Sequence, residues 1–176
     1  YLHLKKEKKE TIPVRIVLNS KQRILLISGP NAGGKSICLK SAGLLQYMLQ
    51  CGLLVPVGFG SRAGIFKNIF IDIGDQQSID NDLSTYSSHL KNMSFFAEHA
   101  GDDSLILIDE FGSGTEPLPG GAIAEALLNK FSYNKAYGII TTHYSNLKMY
   151  SSPDNGVVNC AMLFDSEQMK ALYKMR

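Results

Sequence analysis

Arg23-Ile24-Leu25-Leu26-Ile27-Ser28-Gly29-Pro30-Asn31-Ala32-Gly33-Gly34-Lys35-Ser36 is the stretch that decides how the chain is read. Its first half is a short apolar run ending at glycine, the pattern of a strand buried on both faces of a parallel sheet. Its second half, Gly29 to Ser36, fits GxxxxGK[ST] without a mismatch. Glycines there let the backbone curl so that successive N–H groups point inward at phosphate oxygens. The residues that follow, Ser36 to Gln50, carry Leu39, Leu44, Leu45, Met48 and Leu49 at helical spacing, with Gly52 as a stop. Such a helix turns its positive N-terminal end toward the same anion. Lys35 is expected to reach the β- and γ-phosphates, and the Ser36 hydroxyl to ligate Mg²⁺, a hard cation that prefers oxygen. Strand before and helix after are the context the motif requires. Gly29, Pro30, Asn31, Ala32, Gly33, Gly34, Lys35 and Ser36 therefore read as a cradle for a nucleoside triphosphate with Mg²⁺.

Two more apolar runs end in residues suited to that ligand. Leu105-Ile106-Leu107-Ile108-Asp109-Glu110 is a strand that closes on two carboxylates. Ligands of open parallel sheets sit at the carboxyl ends of the strands, so Asp109 and Glu110 should face the loop. Asp109 suits Mg²⁺, and Glu110 suits a general base that polarises the attacking water. The bland alternative for either is a turn acid at a strand end. Ile139-Ile140-Thr141-Thr142-His143 ends at the same edge, where a neutral His143 can hydrogen-bond the γ-phosphate or the water. His3, His89 and His99 show no partner pattern and read as structural. Leu83-Ser84-Thr85-Tyr86-Ser87-Ser88-His89 opens a helix. Ser84 or Thr85 is a sound N-cap there; alternatively, that helix start binds the γ-phosphate held by another subunit across a two-fold axis.

The remaining pattern sets the fold class. Thr11 to Leu18 places Ile12, Val14, Ile16 and Leu18 on one face, a half-buried strand, and Pro13 makes it an edge. Lys5 to Glu10 is a mixed-charge run read as a solvated loop. Ile69 to Ile73 is a short strand, Thr85 to Ala100 and Gly121 to Phe131 are helices, and Ala136 to Thr142 is another buried strand. Gly156 to Phe164 and Ala171 to Met175 read as a closing antiparallel hairpin. Strands alternating with helices imply an α/β fold, a mainly parallel sheet flanked by helices with antiparallel edge strands.

With 176 residues the chain is long enough for one domain, taken as 1–176, with its own core. Both ends fall in or beside strand-like segments, which reads as a domain cut from a longer protein. A net charge of +2 argues by itself for neither a nucleic-acid nor a membrane surface. No apolar stretch reaches the ~20 residues that span a bilayer. Cys38, Cys51 and Cys160 lack CxxC or metal-ligand spacing and read as buried free thiols in a reducing cytoplasm. Other nucleotide chemistries fit less well. Asn134-Lys135-Ala136-Tyr137 lacks the aspartate of a guanine contact. Arg15, Arg23, Arg62 and Arg176 are too scattered for a kinase lid. A nucleotide-switched binding module for DNA or the ribosome, with negligible turnover, remains as a second reading.

Gly29 to Ser36, the Leu105-to-Glu110 strand with Phe111-Gly112-Ser113-Gly114-Thr115-Glu116-Pro117 behind it, and Thr141-Thr142-His143-Tyr144 together resemble the ATPase domain of the MutS family. Leu83 to His89, Thr115-Glu116-Pro117 and Gly74-Asp75-Gln76-Gln77-Ser78 look like the bacterial paralogue branch that lacks mismatch-recognition domains. The resemblance covers nearly the whole chain. It implies a P-loop fold of the ABC type, with Ser84-Thr85 in place of the usual signature loop. It implies ATP and Mg²⁺, slow hydrolysis, and a homodimer formed through the ATPase domains. It also implies DNA contacted mainly by other domains, a role in suppressing recombination, and in some members a link to ribosomes.

Overall fold

The computed structural model describes residues 6–7, 11–74, 82–113, 116–165 and 170–176. Among the described residues, six strands form one sheet in the order β2-β3-β4-β1-β5-β6. They are β1 (Ile24–Ser28), β2 (Asn68–Asp72), β3 (Ser104–Ile108), β4 (Tyr137–Thr141), β5 (Val157–Asp165) and β6 (Lys170–Met175). β1 pairs in parallel with both β4 and β5, and β3 pairs in parallel with both β2 and β4. β6 pairs antiparallel with β5 and is the antiparallel edge among the described residues. Four helices connect the strands: α1 (Lys35–Gln50), α2 (Asp82–His99), α3 (Pro117–Tyr133) and α4 (Ser145–Tyr150). The expected α/β class and mainly parallel sheet are thus found.

The central strands are apolar without alternation because both of their faces are covered. Every residue of β1 and of β3 is buried. Side chains still point alternately to the two faces. Ile24, Leu26, Ile106, Ile108 and Ile140 enter one core with Met93 and Phe96 of α2, Leu128 and Phe131 of α3 and Leu147 of α4. Leu25, Ile27, Leu105, Leu107 and Ile139 enter the other with Cys38 and Leu39 of α1. Each such side chain, fully buried, contributes roughly 1.5–3 kcal/mol. Register keeps the strand ends level: Ile27 lies opposite Thr141, and Ile108 opposite Ile140. The residues that follow β1, β3 and β4 therefore emerge at one edge of the sheet.

Several expectations change. Thr11 to Leu18 forms no strand. Ile16 and Leu18 do pack on the α1-side core, while Val14 is 44% and Val17 47% exposed. Apolar alternation reports a buried face, not a hydrogen-bonded ladder, and Pro13 has no N–H to offer one. α2 starts at Asp82, so positions 84 and 85 lie in its first turn instead of at its cap. α3 starts four residues earlier than Gly121, at Pro117, where the fixed φ of proline suits a first helical position. Cys38 is buried and Cys51 exposed, and no cysteine is disulfide-bonded; Cys51 sits in the turn that ends α1, where no helix covers it. His3, most of the Lys5-to-Glu10 run, residues 75–78 and residues 114–115 lie outside the described residues.

Candidate functional site

At the end of β1 the chain makes three abrupt moves. Gly29 has φ of 126°. Pro30 then leads into a single 3₁₀ turn, Asn31–Gly33, closed by the Gly33 N–H donating to Pro30 O at 3.0 Å. Gly34, at φ 90°, starts α1 with no side chain capping the helix. Only glycine fits there: a Cβ on Gly34 would lie 2.7 Å from a ring carbon of Tyr173 on β6. Ala32 and Pro30 are on the outside of the turn, Gly33 and Gly34 on the inside, and Ser36 is half-buried in the first turn of α1.

Lys35 is buried at the centre of this loop, 2% exposed. Its Nζ donates to Gly29 O at 2.8 Å, which folds the side chain back across the loop it belongs to. Burial lowers its pKa from the usual lysine value, while the charges of Glu110 and Asp109 oppose that change. The loop lysine and the two carboxylates are thus electrostatic neighbours, although 74 and 75 positions separate them in sequence (109 − 35 and 110 − 35).

The acidic pair is held by Thr141. Its hydroxyl donates to Asp109 Oδ1 at 2.6 Å and accepts the Glu110 N–H at 2.8 Å. Thr141 is completely buried. Glu110 has φ of 52°, a left-handed conformation uncommon outside glycine. The Thr141 hydroxyl and the Phe111 N–H, which donates to Thr141 O at 2.8 Å, clamp that turn on both sides of Glu110. Such local strain persists where surrounding contacts over-determine it.

His143 follows β4 at the same edge and is exposed as a residue. Its pKa is lowered from 6.5, first by partial burial of the ring and then by Lys35; Glu110 acts in the opposite sense. Lys148 of α4 also lowers both His143 and Lys35. Lys148 is therefore a further cation of the site. A six-residue helix carries it, too short to leave a periodicity in the sequence. Among the described residues, no three His, Cys, Asp or Glu side chains form a metal cage of their own. Ser36 and Asp109 carry hard oxygen donors, the chemistry that would suit Mg²⁺. Positions 84 and 85 belong to the first turn of α2, and their side chains lie outside the described residues.

His89 is not a bystander. Its Nδ1 meets Asp72 Oδ2 at 2.5 Å, and Asn92 Nδ2 donates to Asp72 Oδ1 at 2.9 Å. Asp72, His89, Asp109, Glu110 and Gly112 line one cavity between the acidic strand end, α2 and α3. His99, by contrast, stacks on Phe95 with ring centroids 4.1 Å apart, a structural contact.

Residues 25–176 match MutS domain V. The endonuclease MutS2 of Finegoldia magna is 44% identical over 170 residues, covering 97% of this chain and 22% of that protein. The endonuclease MutS2 of Pelotomaculum thermopropionicum is 45% identical over 166 residues, covering 94% of this chain and 21% of that protein. The chain thus spans about a fifth of the length of the curated relatives it matches. With the domain match running from the loop strand to the last residue, the chain belongs to the MutS family and is MutS2-like within it.

Proposed function

We propose that this domain binds ATP with Mg²⁺ and hydrolyses it, as the motor of a MutS-like DNA-processing protein. The observation that carries the reading is Lys35: a buried ammonium folded across a glycine-rich turn, with Asp109 and Glu110 as its opposing charges. A buried ammonium in a glycine-rich turn, with carboxylates at a neighbouring strand end, supports a site for phosphate oxygens and their cation. In this reading, loop amides from Gly29 to Ser36 hold the phosphates and Lys35 neutralises them. Ser36 and Asp109 would hold the Mg²⁺, which would supply positive charge beside the phosphates. Thr141 orients Asp109 so that its carboxylate presents one geometry. Glu110, aimed by its strained turn, accepts a proton from the attacking water. His143, kept neutral by partial burial and Lys35, donates or accepts a hydrogen bond at the γ-phosphate end.

The ABC-type arrangement, in which Ser84 and Thr85 of one subunit complete the pocket of another, belongs to the same proposal. It makes each site half of an ATP-bridged homodimer. DNA contacts then fall mainly to chain outside this domain, in a cytoplasmic protein acting on recombination or repair, with the ribosome as a further partner class. Lys35→Ala tests the binding half. Calorimetry with Mg-ATP should show affinity reduced by about 10-fold or more, the size of a lost charge-assisted contact. Undiminished affinity would reject the loop as the phosphate site.

A further inference from the structure

Asp72 joins two parts of the molecule that the proposed chemistry needs in register. It ends β2 opposite Ile108, one residue before the acidic pair. It is 7% exposed. Its carbonyl oxygen accepts the Asp109 N–H at 3.0 Å. Its carboxylate accepts hydrogen bonds from two residues of α2, His89 at 2.5 Å and Asn92 at 2.9 Å. With Asp72 ionised the carboxylate can only accept, and the bond then uses the His89 tautomer that has its hydrogen on Nδ1. One buried residue therefore holds the backbone of Asp109 with one end and the helix α2 with the other.

The place where α2 is gripped matters. Position 89 lies one helical turn beyond position 85. The first turn of α2, which carries Ser84 and Thr85, is thereby tied through His89 and Asp72 to the backbone of Asp109. Thr141 continues the connection, because its hydroxyl bonds both Asp109 Oδ1 and the Glu110 N–H. His89 and Glu110 also line the same cavity. Hydrogen bonds to an ionised carboxylate are shorter and stronger than neutral ones, and more so where water is partly excluded.

We propose that His89 is a positioning residue for hydrolysis, coupling the first turn of α2 to the Asp109–Glu110 turn through Asp72. This rests on the ATPase reading above. The role concerns the orientation of Glu110 and leaves the phosphate loop alone, so it separates turnover from binding. The test is steady-state phosphate release from Mg-ATP by the purified chain, with wild type, His89→Ala and His89→Asn compared at matched concentration. Thermal unfolding midpoints are measured beside them. The asparagine amide can reproduce the Nδ1 donor. Expected is a kcat lower by about 10-fold in His89→Ala, a KM for ATP within about twofold of wild type, and a kcat in His89→Asn recovered to within about threefold. An unchanged kcat in His89→Ala overturns the coupling. So does a loss of stability and of kcat that His89→Asn fails to rescue. Wild type that releases no phosphate overturns the hydrolysis reading, and this coupling with it. Wild type that turns over beside an equally active His89→Ala overturns the coupling alone.

Discussion

At the scale of single residues, the site depends on side chains whose roles differ from what their type suggests. Thr141 reads in sequence as the end of an apolar strand, yet its hydroxyl bonds both carboxylate residues. Thr141→Val keeps the shape and removes both bonds. It leaves the Glu110 N–H without its acceptor, which costs about 1–3 kcal/mol. Urea titration should show that loss of stability, and phosphate release should fall with it; unchanged values for both would mean the clamp is idle. His143 gives a pH test. Its pKa is lowered, so the folded state prefers the neutral ring. No stability is lost to this residue above 6.5, and the fold is destabilised as pH drops through its lowered value. An NMR titration should place the His143 midpoint below 6.5, and Lys35→Ala should raise it, since Lys35 is one of the charges that lowers it. A midpoint at or above the ordinary value would contradict the proximity of the two residues.

At the scale of elements, legibility followed periodicity. β1, β3 and β4 were readable because two-sided burial replaces polar alternation with a continuous apolar run in the middle of each. α1 was readable because a glycine turn starts it and a glycine turn ends it. Thr11 to Leu18 had the alternation of a strand and is not one among the described residues, because alternation records only which face is buried. The Gly29-to-Ser36 loop, Asp109, Glu110 and His143 could be gathered at one edge from sequence, since parallel strands present their carboxyl ends together. Asp72–His89 could not. The two are 17 positions apart, on an edge strand and a helix, and nothing in their spacing says which face of α2 meets β2. Lys148 was hidden by a helix too short for a pattern, and Tyr173 by a contact with Gly34 that only the return of β6 creates. The core itself allows a direct test. Phe131 of α3 is fully buried against the face of the sheet opposite α1. Phe131→Ala should cost about 3–5 kcal/mol in chemical denaturation. A loss under about 1 kcal/mol would mean that α3 is not anchored as described.

At the scale of the whole molecule, the sheet is a device for bringing distant residues to one edge and shielding them from water. Helices cover both faces, so the charges at the edge act on one another through protein as well as through solvent. That explains how Asp109, Glu110 and Lys148 act on Lys35 and His143 although they come from separate elements. The membership in the MutS family sets the context, and the chain spans about a fifth of its matched relatives. In the proposed function, nucleotide turnover is the part assigned to this domain. The most direct test compares wild type with Glu110→Gln for Mg-ATP binding by calorimetry and for phosphate release. Glutamine keeps the size and the polarity of the side chain and removes the base. The account predicts equal ATP affinity and phosphate release slower by ~10²-fold or more. Equal rates of phosphate release from the two proteins would contradict it.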